Sequence, residues 1–444
     1  MTQSDAPLPS RTLWTIVGLL SASITINLID RQILAQLAPV LTKAFSWSAT
    51  QYAYVGIAFN LGMMLGQVPA GSFMDRVGTK AGLATIFVAW SALTVLQALA
   101  GPGTAIDSIG AALLAIVPGM PALAAGLSGF ILLRFVMGLM QCGNYTAGIK
   151  ALAGLFPASN RSKAGGFFNA GAQLGGALAG PLVLSLLIGT FGWSWQMAFA
   201  VPPIILLGWL IPWLVVFPGK ERMAEISLKP KATGATTSDA PAISLGRLLA
   251  NQKVLGLALI RIFTGPITVF YWTWLPLYLR NGRGVSIVLT GIFTMLPALF
   301  GMAGNILGGI LTDRLVKMTG SVDTGRKLGF VGAFGLGALS MTLPFISNNF
   351  LAVLLMGLAL FGNQWVAATY IGTVGDVVPQ QLAGRVTGIS GLADNGASMI
   401  AVLYTGVLVD SYGWTPVFFG VGIFPFLAMA SVFLVLRKIE PARF

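Results

Sequence analysis

Long apolar stretches broken by short polar ones run along the whole chain. A helix needs about 20 mainly apolar residues to cross the hydrocarbon of a bilayer. Twelve stretches have that length and character: 12–37, 51–73, 80–100, 127–153, 163–189, 195–217, 252–279, 287–311, 327–346, 350–376, 385–409 and 416–436. The pattern predicts an all-α membrane protein with twelve transmembrane helices. Met1 to Arg11 is polar and carries no separate signal peptide, so the first span is expected to be retained.

Polar punctuation divides the spans into two sets of six. Residues 218–250 form the one long hydrophilic segment, rich in Pro, Thr, Ser and Lys, and read as a cytoplasmic linker. The expected organisation is an N-terminal half over 1–217, the linker over 218–250 and a C-terminal half over 251–444. The halves repeat. Pro157 through Trp193, ending Phe-Gly-Trp, is matched by Pro379 through Trp414, ending Tyr-Gly-Trp, at an offset of about 221 residues. Lys163 then faces Arg385, Gly166 faces Gly388 and Gln173 faces Asn395. Two parallel, pseudo-symmetric six-helix repeats imply a transporter with its substrate site between the halves near the bilayer midplane. No re-entrant filter segment supports a channel. The apolar, Pro-interrupted residues 101–126 lie between spans three and four on the external side. They read as a hydrophobic loop at the interface, or alternatively as a lid or subunit contact.

Composition narrows the chemistry. Of 444 residues, 56% are hydrophobic and 9% are charged, where soluble domains carry about a quarter charged residues. Histidine is absent and Cys142 is the single cysteine. His-based triads, His or multi-Cys metal sites and disulfide frameworks are therefore excluded. No enzyme activity, cofactor or metal is expected. The formal net charge is +13, from 26 Lys and Arg against 13 Asp and Glu. With both termini cytoplasmic, external segments hold only Lys43, Arg280 and Arg283, and the spans hold Arg31, Arg134, Lys150 and Arg261. The remaining 26 − 3 − 4 = 19 cations fall on cytoplasmic segments. That asymmetry follows the positive-inside rule and accounts for the charge without nucleic acid.

Gly71-x-x-x-Asp75-Arg76-x-Gly78-x-Lys80 after span two, with a partial copy at Gly309–Arg314 after span eight, resembles the loop motif of the major facilitator superfamily. The resemblance implies that Asp75, Arg76 and Lys80, with Asp313 and Arg314 of the copy, are gating residues that bridge the halves on the cytoplasmic side. Four further segments resemble the anion:cation symporter branch, particularly its hexuronate and aldonate transporters. They are Ile26-Asn27-Leu28-Ile29-Asp30-Arg31, Arg134 through Lys150 with Phe156-Pro157, Pro266 through Leu279, and Asp376–Gly388. The likeness covers nearly the whole chain apart from 101–126 and the linker. This chain departs from the branch at four positions. Gln141 stands where a span-four glutamate is usual, Leu28 and Met63 replace tyrosines, and Gly265 replaces the acid before Pro266.

An ionised side chain at mid-bilayer costs roughly 2.5–3.5 kcal/mol on insertion scales, so each one is a functional candidate. Arg31 and Arg134 are expected to receive a substrate carboxylate, since guanidinium forks fit carboxylates bidentately. Asn169 and Gln173 on span five, and Asn363, Gln364 and Tyr370 on span ten, would bond sugar-like hydroxyls. Tyr271 and Trp274 of span seven, with Tyr278 one turn beyond, would wall the cavity. Packing between helices is the alternative reading for each amide or aromatic, more so for Gln173, Gln364 and the aromatics than for Asn169 and Asn363. Asn144 lies at the edge of the Arg134–Gln141 face.

Without histidine, proton coupling needs carboxylates, and each pH unit supplies about 1.4 kcal/mol per proton. Asp30 is the first candidate: protonated, it leaves Arg31 free for an anion. Gln141 cannot titrate and is a polar substitute for the span-four acid. Asp394 reads as a second protonation or cation site, or as a gate residue paired with Arg385 or the loop motif. Asp376 and Asp410, at span ends, are expected to be solvated or capping, and Lys150 to snorkel. Gly62-x-x-x-Gly66, Gly171-x-x-x-Gly175, Gly176-x-x-x-Gly180 and Gly304-x-x-x-Gly308 predict close helix approach, on surfaces that slide as the halves tilt or in ordinary tight packing.

These features together predict a monomeric, multi-pass inner-membrane carrier that imports a small organic anion such as a sugar acid with H⁺ by alternating access. An uncoupled facilitator, an exchanger or a Na⁺-coupled carrier stays open. A transporter-like receptor or a membrane enzyme would need a signalling domain or a catalytic constellation, and neither is visible.

Overall fold

The computed structural model describes residues 9–117, 123–156, 158–219 and 245–442. Most of the expected linker and the cations Lys220, Arg222, Lys229, Lys231 and Arg443 lie outside the described residues, as do Met1 to Leu8. Among the described residues there is no β-strand. The helices are α1 (Ser10–Phe45), α2 (Ala49–Val77), α3 (Thr79–Gln97), α4 (Leu127–Leu155) and α5 (Ala158–Gly180, continuing as a π-helical stretch Pro181–Thr190). Next comes α6, as Trp195–Leu206 carried on through Leu210–Val216. The second set is α7 (Gln252–Thr273), α8 (Ile287–Thr319), α9 (Val322–Gly337), α10 (Asn349–Val377), α11 (Gln380–Tyr412) and α12 (Thr415–Ala430). Eleven of these, with α9 continuing helically to Phe345 and α12 to Leu436, are apolar and long enough to cross a membrane. In α2 the apolar run is diluted by Asn60, Gln67 and four glycines, yet at 29 residues it has ample length for the twelfth crossing.

The chain divides into two compact units, Met1–Trp47 with Tyr54–Thr233, and Ser48–Ala53 with Gly234–Phe444. In the first unit, a ladder of aromatic rings ties α3 to α6. Phe87 stacks on Trp209 at 4.7 Å, Trp209 on Trp213 at 5.2 Å, and Phe217 caps the column at 4.3 Å. The indole N–H groups find main-chain acceptors, Trp209 donating to Leu19 O and Trp213 to Lys80 O, both at 3.0 Å. A buried indole needs such an acceptor, so the ladder fixes orientation as well as area. In the second unit Phe330 and Phe334 of α9 stack at 5.7 Å. Trp365 of α10 donates to Thr312 Oγ1 of α8 at 2.8 Å, and Thr312 bonds Thr369 of α10 at 2.9 Å.

The spaced glycines sit within units. A Cβ at Gly62 or Gly66 of α2 would fall on the α4 main chain, and one at Gly138 of α4 on α2. Gly171 and Gly175 of α5 lie on Ser21 and Thr25 of α1, and Gly304 and Gly308 of α8 on Phe361 and Trp365 of α10. Tight packing inside each half is therefore their role, not a sliding surface: a backbone-to-backbone fit has no room for displacement.

Residues 101–126 also differ from a loop. Ala105–Leu114 is helical, with Thr104 as its N-cap. Its Asp107 carboxylate accepts from Gly126 N at 2.9 Å and Gly129 N at 3.2 Å. An acid there satisfies amide donors at the start of α4 that have no intrahelical partner, and so the segment is stapled to α4.

Candidate substrate and coupling groups

In the first unit the polar groups converge from α1, α3 and α4. Arg134 is only 2% exposed. Its Nε donates to Gln97 Oε1 at 2.8 Å and its Nη1 to the Arg31 carbonyl at 3.1 Å. Arg31 lies over the Phe59 ring, 4.8 Å from its centroid, and Arg134 approaches the same ring at 5.8 Å. Two guanidiniums thus approach one aromatic ring, which offsets part of their desolvation. Among the described residues no carboxylate lies within salt-bridge range of Arg31.

Asp30 is fully buried, and among the described residues neither oxygen has a hydrogen-bond partner in good geometry. It faces the Trp90 indole and Arg134. A helical step of about 100° per residue turns it away from Arg31, its sequence neighbour. Asn27 Nδ2 and both ends of the Gln141 amide are likewise buried without partners among the described residues. Buried polar groups are ordinarily bonded, so this orphaned set makes the spot a candidate site for a polar solute. Asn144 is not part of it. It accepts from Ser23 Oγ at 3.0 Å and returns a bond to Ser23 O at 3.3 Å, joining α1 to α4. Asn169 is exposed and Gln173 half-buried on α5.

In the second unit, Arg261 of α7 forms an ion pair with Asp394 of α11 and lies 5.7 Å from the centre of the Tyr370 ring of α10. Asp394 therefore pairs with neither Arg385 nor the loop motif. Asn363 Nδ2 donates to Thr268 Oγ1 at 2.6 Å, Asn363 Oδ1 has no partner among the described residues, and the Tyr370 hydroxyl faces Ser390 of α11 without a hydrogen bond in good geometry. Gln364 is half-buried on the same helix. The aromatic run of α7 goes into packing. Tyr271 is hydrogen-bonded to Ser340 at 2.9 Å. Trp274 meets the Tyr52 and Trp414 rings edge-on at 5.3 and 6.2 Å, and Tyr278 packs on Trp414 and Phe418.

The sequence profile of the Major Facilitator Superfamily matches residues 20–322 and 317–444. The chain belongs to the major facilitator superfamily. It is 27% identical to a protein named as a probable galactarate/D-glucarate transporter of Escherichia coli (strain K12), over 97% of this chain and 96% of that one. A hexuronate transporter of the same strain is 26% identical, over 97% and 95%. A hexuronate transporter of Bacillus subtilis (strain 168) is 29% identical, over 87% and 86%. Among solved structures, a D-xylose-proton symporter superposes with a TM-score of 0.72 at 17% identity, over 96% of this chain and 99% of that chain. At that identity the likeness is one of fold. The relatives are named as transporters, and this superfamily member is a multi-pass membrane protein.

The superfamily loop motif takes a form that the sequence did not reveal. Asp75 pairs with Lys150 of α4, so the partly exposed Lys150 ends on an ion-pair partner in the motif. Arg76 is exposed, and Lys80 offers its carbonyl to Trp213. In the copy, Asp313 bonds Arg326 of α9 at 3.2 Å, and Arg326 also holds Asp376 of α10 at 2.9 Å. Asp376 is thus paired where solvation or capping was expected, and Arg314 is exposed. Asp410 does cap a helix: its two oxygens accept from Ala49 N and Thr50 N, each at 2.8 Å. Ser48 and Gln51 complete the same α2 terminus with reciprocal bonds.

Proposed function

We propose that this superfamily member imports a sugar acid, of the hexuronate or aldonate class, together with H⁺ by alternating access. The arginine pair carries the reading: Arg31 and Arg134 both approach the Phe59 ring, and Gln97 holds the Arg134 fork. A carboxylate accepts two parallel bonds from such a fork, and the names of the relatives supply the chemical class. Asn169, Gln173, Asn363, Gln364 and Tyr370 would bond cargo hydroxyls, and Tyr271 of α7 and Trp274 at its C-terminal end would support that surface.

Coupling falls to Asp30 first. Ionised, it competes with the cargo for the arginines; protonated, it releases them. Asp394 is the second candidate, through Arg261. Asp75, Arg76, Lys80, Asp313 and Arg314 would serve the cytoplasmic gates. The protein is placed in the cytoplasmic membrane with both termini inside, as two six-helix halves over 1–217 and 251–444 joined by 218–250, and works as a monomer. A carrier without proton coupling, or one using Na⁺, is the second reading. It is favoured by Gln141, which cannot carry a proton.

The test is uptake of labelled D-galacturonate into proteoliposomes with and without an inward proton gradient. The gradient is expected to drive accumulation and a protonophore to abolish it. Arg31→Lys and Arg134→Lys should each lower uptake at least about tenfold, the loss that about 1.4 kcal/mol brings, with the protein still in the membrane. Counterflow indifferent to pH would replace symport by exchange. Wild-type uptake by either lysine variant would remove that arginine from the site.

A further inference from the structure

The turns between α7 and α8, α9 and α10, and α11 and α12 enclose a cavity of about 320 Å³ in the second unit, at the end away from the α8–α9 loop motif. Tyr278 and Arg283 line it from the first turn, Ser347 and Asn349 from the second, and Trp414 and Phe418 from the third. Gly282 lets the turns close, because an added Cβ would lie 2.7 Å from the Tyr278 ring and 2.9 Å from Trp414 Nε1. Arg283 is held in place by neutral acceptors. Its Nε donates to Asn349 Oδ1 at 2.8 Å and its Nη1 to the Tyr278 hydroxyl at 3.0 Å. Its Nη2 donates to the Ile346 carbonyl and, at 3.1 Å, to Ser347 O. A guanidinium has five N–H donors, so 5 − 4 = 1 is left over, on Nη1. The side chain ties the turns together, yet its charge stays unneutralised.

No Asp or Glu lines the cavity, and among the described residues neither Arg283 nor Arg280 has a carboxylate partner. Asp410, four residues before Trp414, is committed to Ala49 N and Thr50 N. The Trp414 indole N–H, at the cavity wall, has no acceptor among the described residues. The α12 helix starts at this wall with neither a side-chain cap nor an acid in its first turn, which adds a positive dipole end. Of the three cations expected on external segments, Arg280 and Arg283 thus stand unpaired on one turn, against the positive-inside trend. Positive charge, two spare donors and no acid fit an oxyanion. The surroundings say which kind. Phe345 and Phe350, on the turn that supplies Ser347 and Asn349, are 75% and 62% exposed. The ring of Phe419, next to Phe418, lies 6.1 Å from that of Phe345. Exposed rings beside a basic cavity at helix ends suit the boundary between acyl chains and headgroups. We propose that this cavity binds the phosphodiester headgroup of an anionic phospholipid such as phosphatidylglycerol. The phosphate accepts from Arg283 Nη1 and Trp414 Nε1, and the acyl chains lie over the exposed phenylalanines. The amine of a zwitterionic headgroup would meet Arg283 and no acid, so anionic lipid is preferred. With the orientation proposed above, the bound lipid belongs to the outer leaflet.

The experiment is native mass spectrometry of the purified full chain, titrated with phosphatidylglycerol or with phosphatidylcholine of the same acyl chains. The wild type is expected to hold phosphatidylglycerol at least about tenfold more tightly, in keeping with one charge-assisted hydrogen bond. Arg283→Gln should lower phosphatidylglycerol binding at least about tenfold and leave phosphatidylcholine unchanged, so that the preference disappears. Trp414→Phe keeps a ring against Tyr278 but removes the N–H, and should lower phosphatidylglycerol binding about threefold. It serves as the readout should the glutamine variant fail to fold. Lys43→Gln, which removes an exposed cation of the first unit, should leave the preference intact. Equal binding of the two lipids by the wild type overturns the proposal, as does a wild-type preference kept in both cavity variants. A preference lost equally in Lys43→Gln would mean diffuse surface attraction and overturns it too. Inorganic phosphate, glycerol 1-phosphate and D-galacturonate form the soluble arm. Release of bound phosphatidylglycerol by any of them at equal concentration would give the cavity to a soluble anion and overturn the lipid assignment. None of these measurements requires transport, so their failure leaves the sugar-acid reading standing.

Discussion

A guanidinium inside a membrane helix is useful for recognition only if its fork is aimed. Arg134 is aimed by two acceptors of different kinds, the Gln97 side-chain oxygen and the Arg31 carbonyl. Replacing Gln97 with leucine would leave a buried charged donor without its acceptor, a loss of about 1–3 kcal/mol. Part of that loss should appear as weaker binding of galacturonate, measured by ligand-induced thermal shift. Phe59→Leu removes the ring shared by both arginines and should weaken binding by about 0.5–2 kcal/mol. An unaltered shift in both variants would show that neither residue orients the pair. The arginines themselves were legible in the sequence, because a charge in an apolar span announces its cost. Gln97 and Phe59 were not. One is an uncharged amide 37 residues from Arg134, the other an unremarkable aromatic, and each gains its role only when α2, α3 and α4 pack side by side.

Helix packing was half legible in the same sense. Small residues at four-residue spacing predicted close approach, but no spacing names the partner helix. Here every resolved approach is internal to one unit: α2 on α4, α5 on α1, α8 on α10. Rigid halves follow, because a Cβ inserted into such a contact forces main chains apart. Gly304→Ala, whose new methyl would fall on the Phe361 carbonyl, should destabilise by about 1–3 kcal/mol and lower the thermal midpoint of the solubilised protein. Gly166→Ala has open space at its Cβ and should leave the midpoint unchanged. Equal effects from the two substitutions would mean that helix propensity, not interhelical fit, governs these glycines. The 101–126 segment shows the reverse failure of reading. Its prolines and apolar residues suggested a loop at the interface, yet Asp107 pins a short helix to the start of α4 through two amides. A single acid in an apolar stretch was the available signal.

At the scale of the whole carrier, the ion pairs near the two loop motifs differ in how firmly they hold. Arg326 is 14% exposed and serves two carboxylates, Asp313 and Asp376. Breaking it would leave Asp376, only 30% exposed, short of its counter-ion. Its role is therefore expected to be structural, since removing one partner of a buried pair is strongly destabilising. Lys150 and Asp75 are 40% and 72% exposed, and such a pair contributes at most about 1 kcal/mol to stability. A contact that weak is suited to exchange partners as gates open and close, which is what the superfamily motif implies for Asp75. Asp75→Asn should then slow galacturonate uptake about tenfold, equivalent to about 1.4 kcal/mol on the rate-limiting step, while the binding affinity changes by less than about twofold, under 0.5 kcal/mol. Initial rates in proteoliposomes set against equilibrium binding separate the two quantities. A fall in affinity as large as the fall in rate would move Asp75 from the gate to the binding of the cargo.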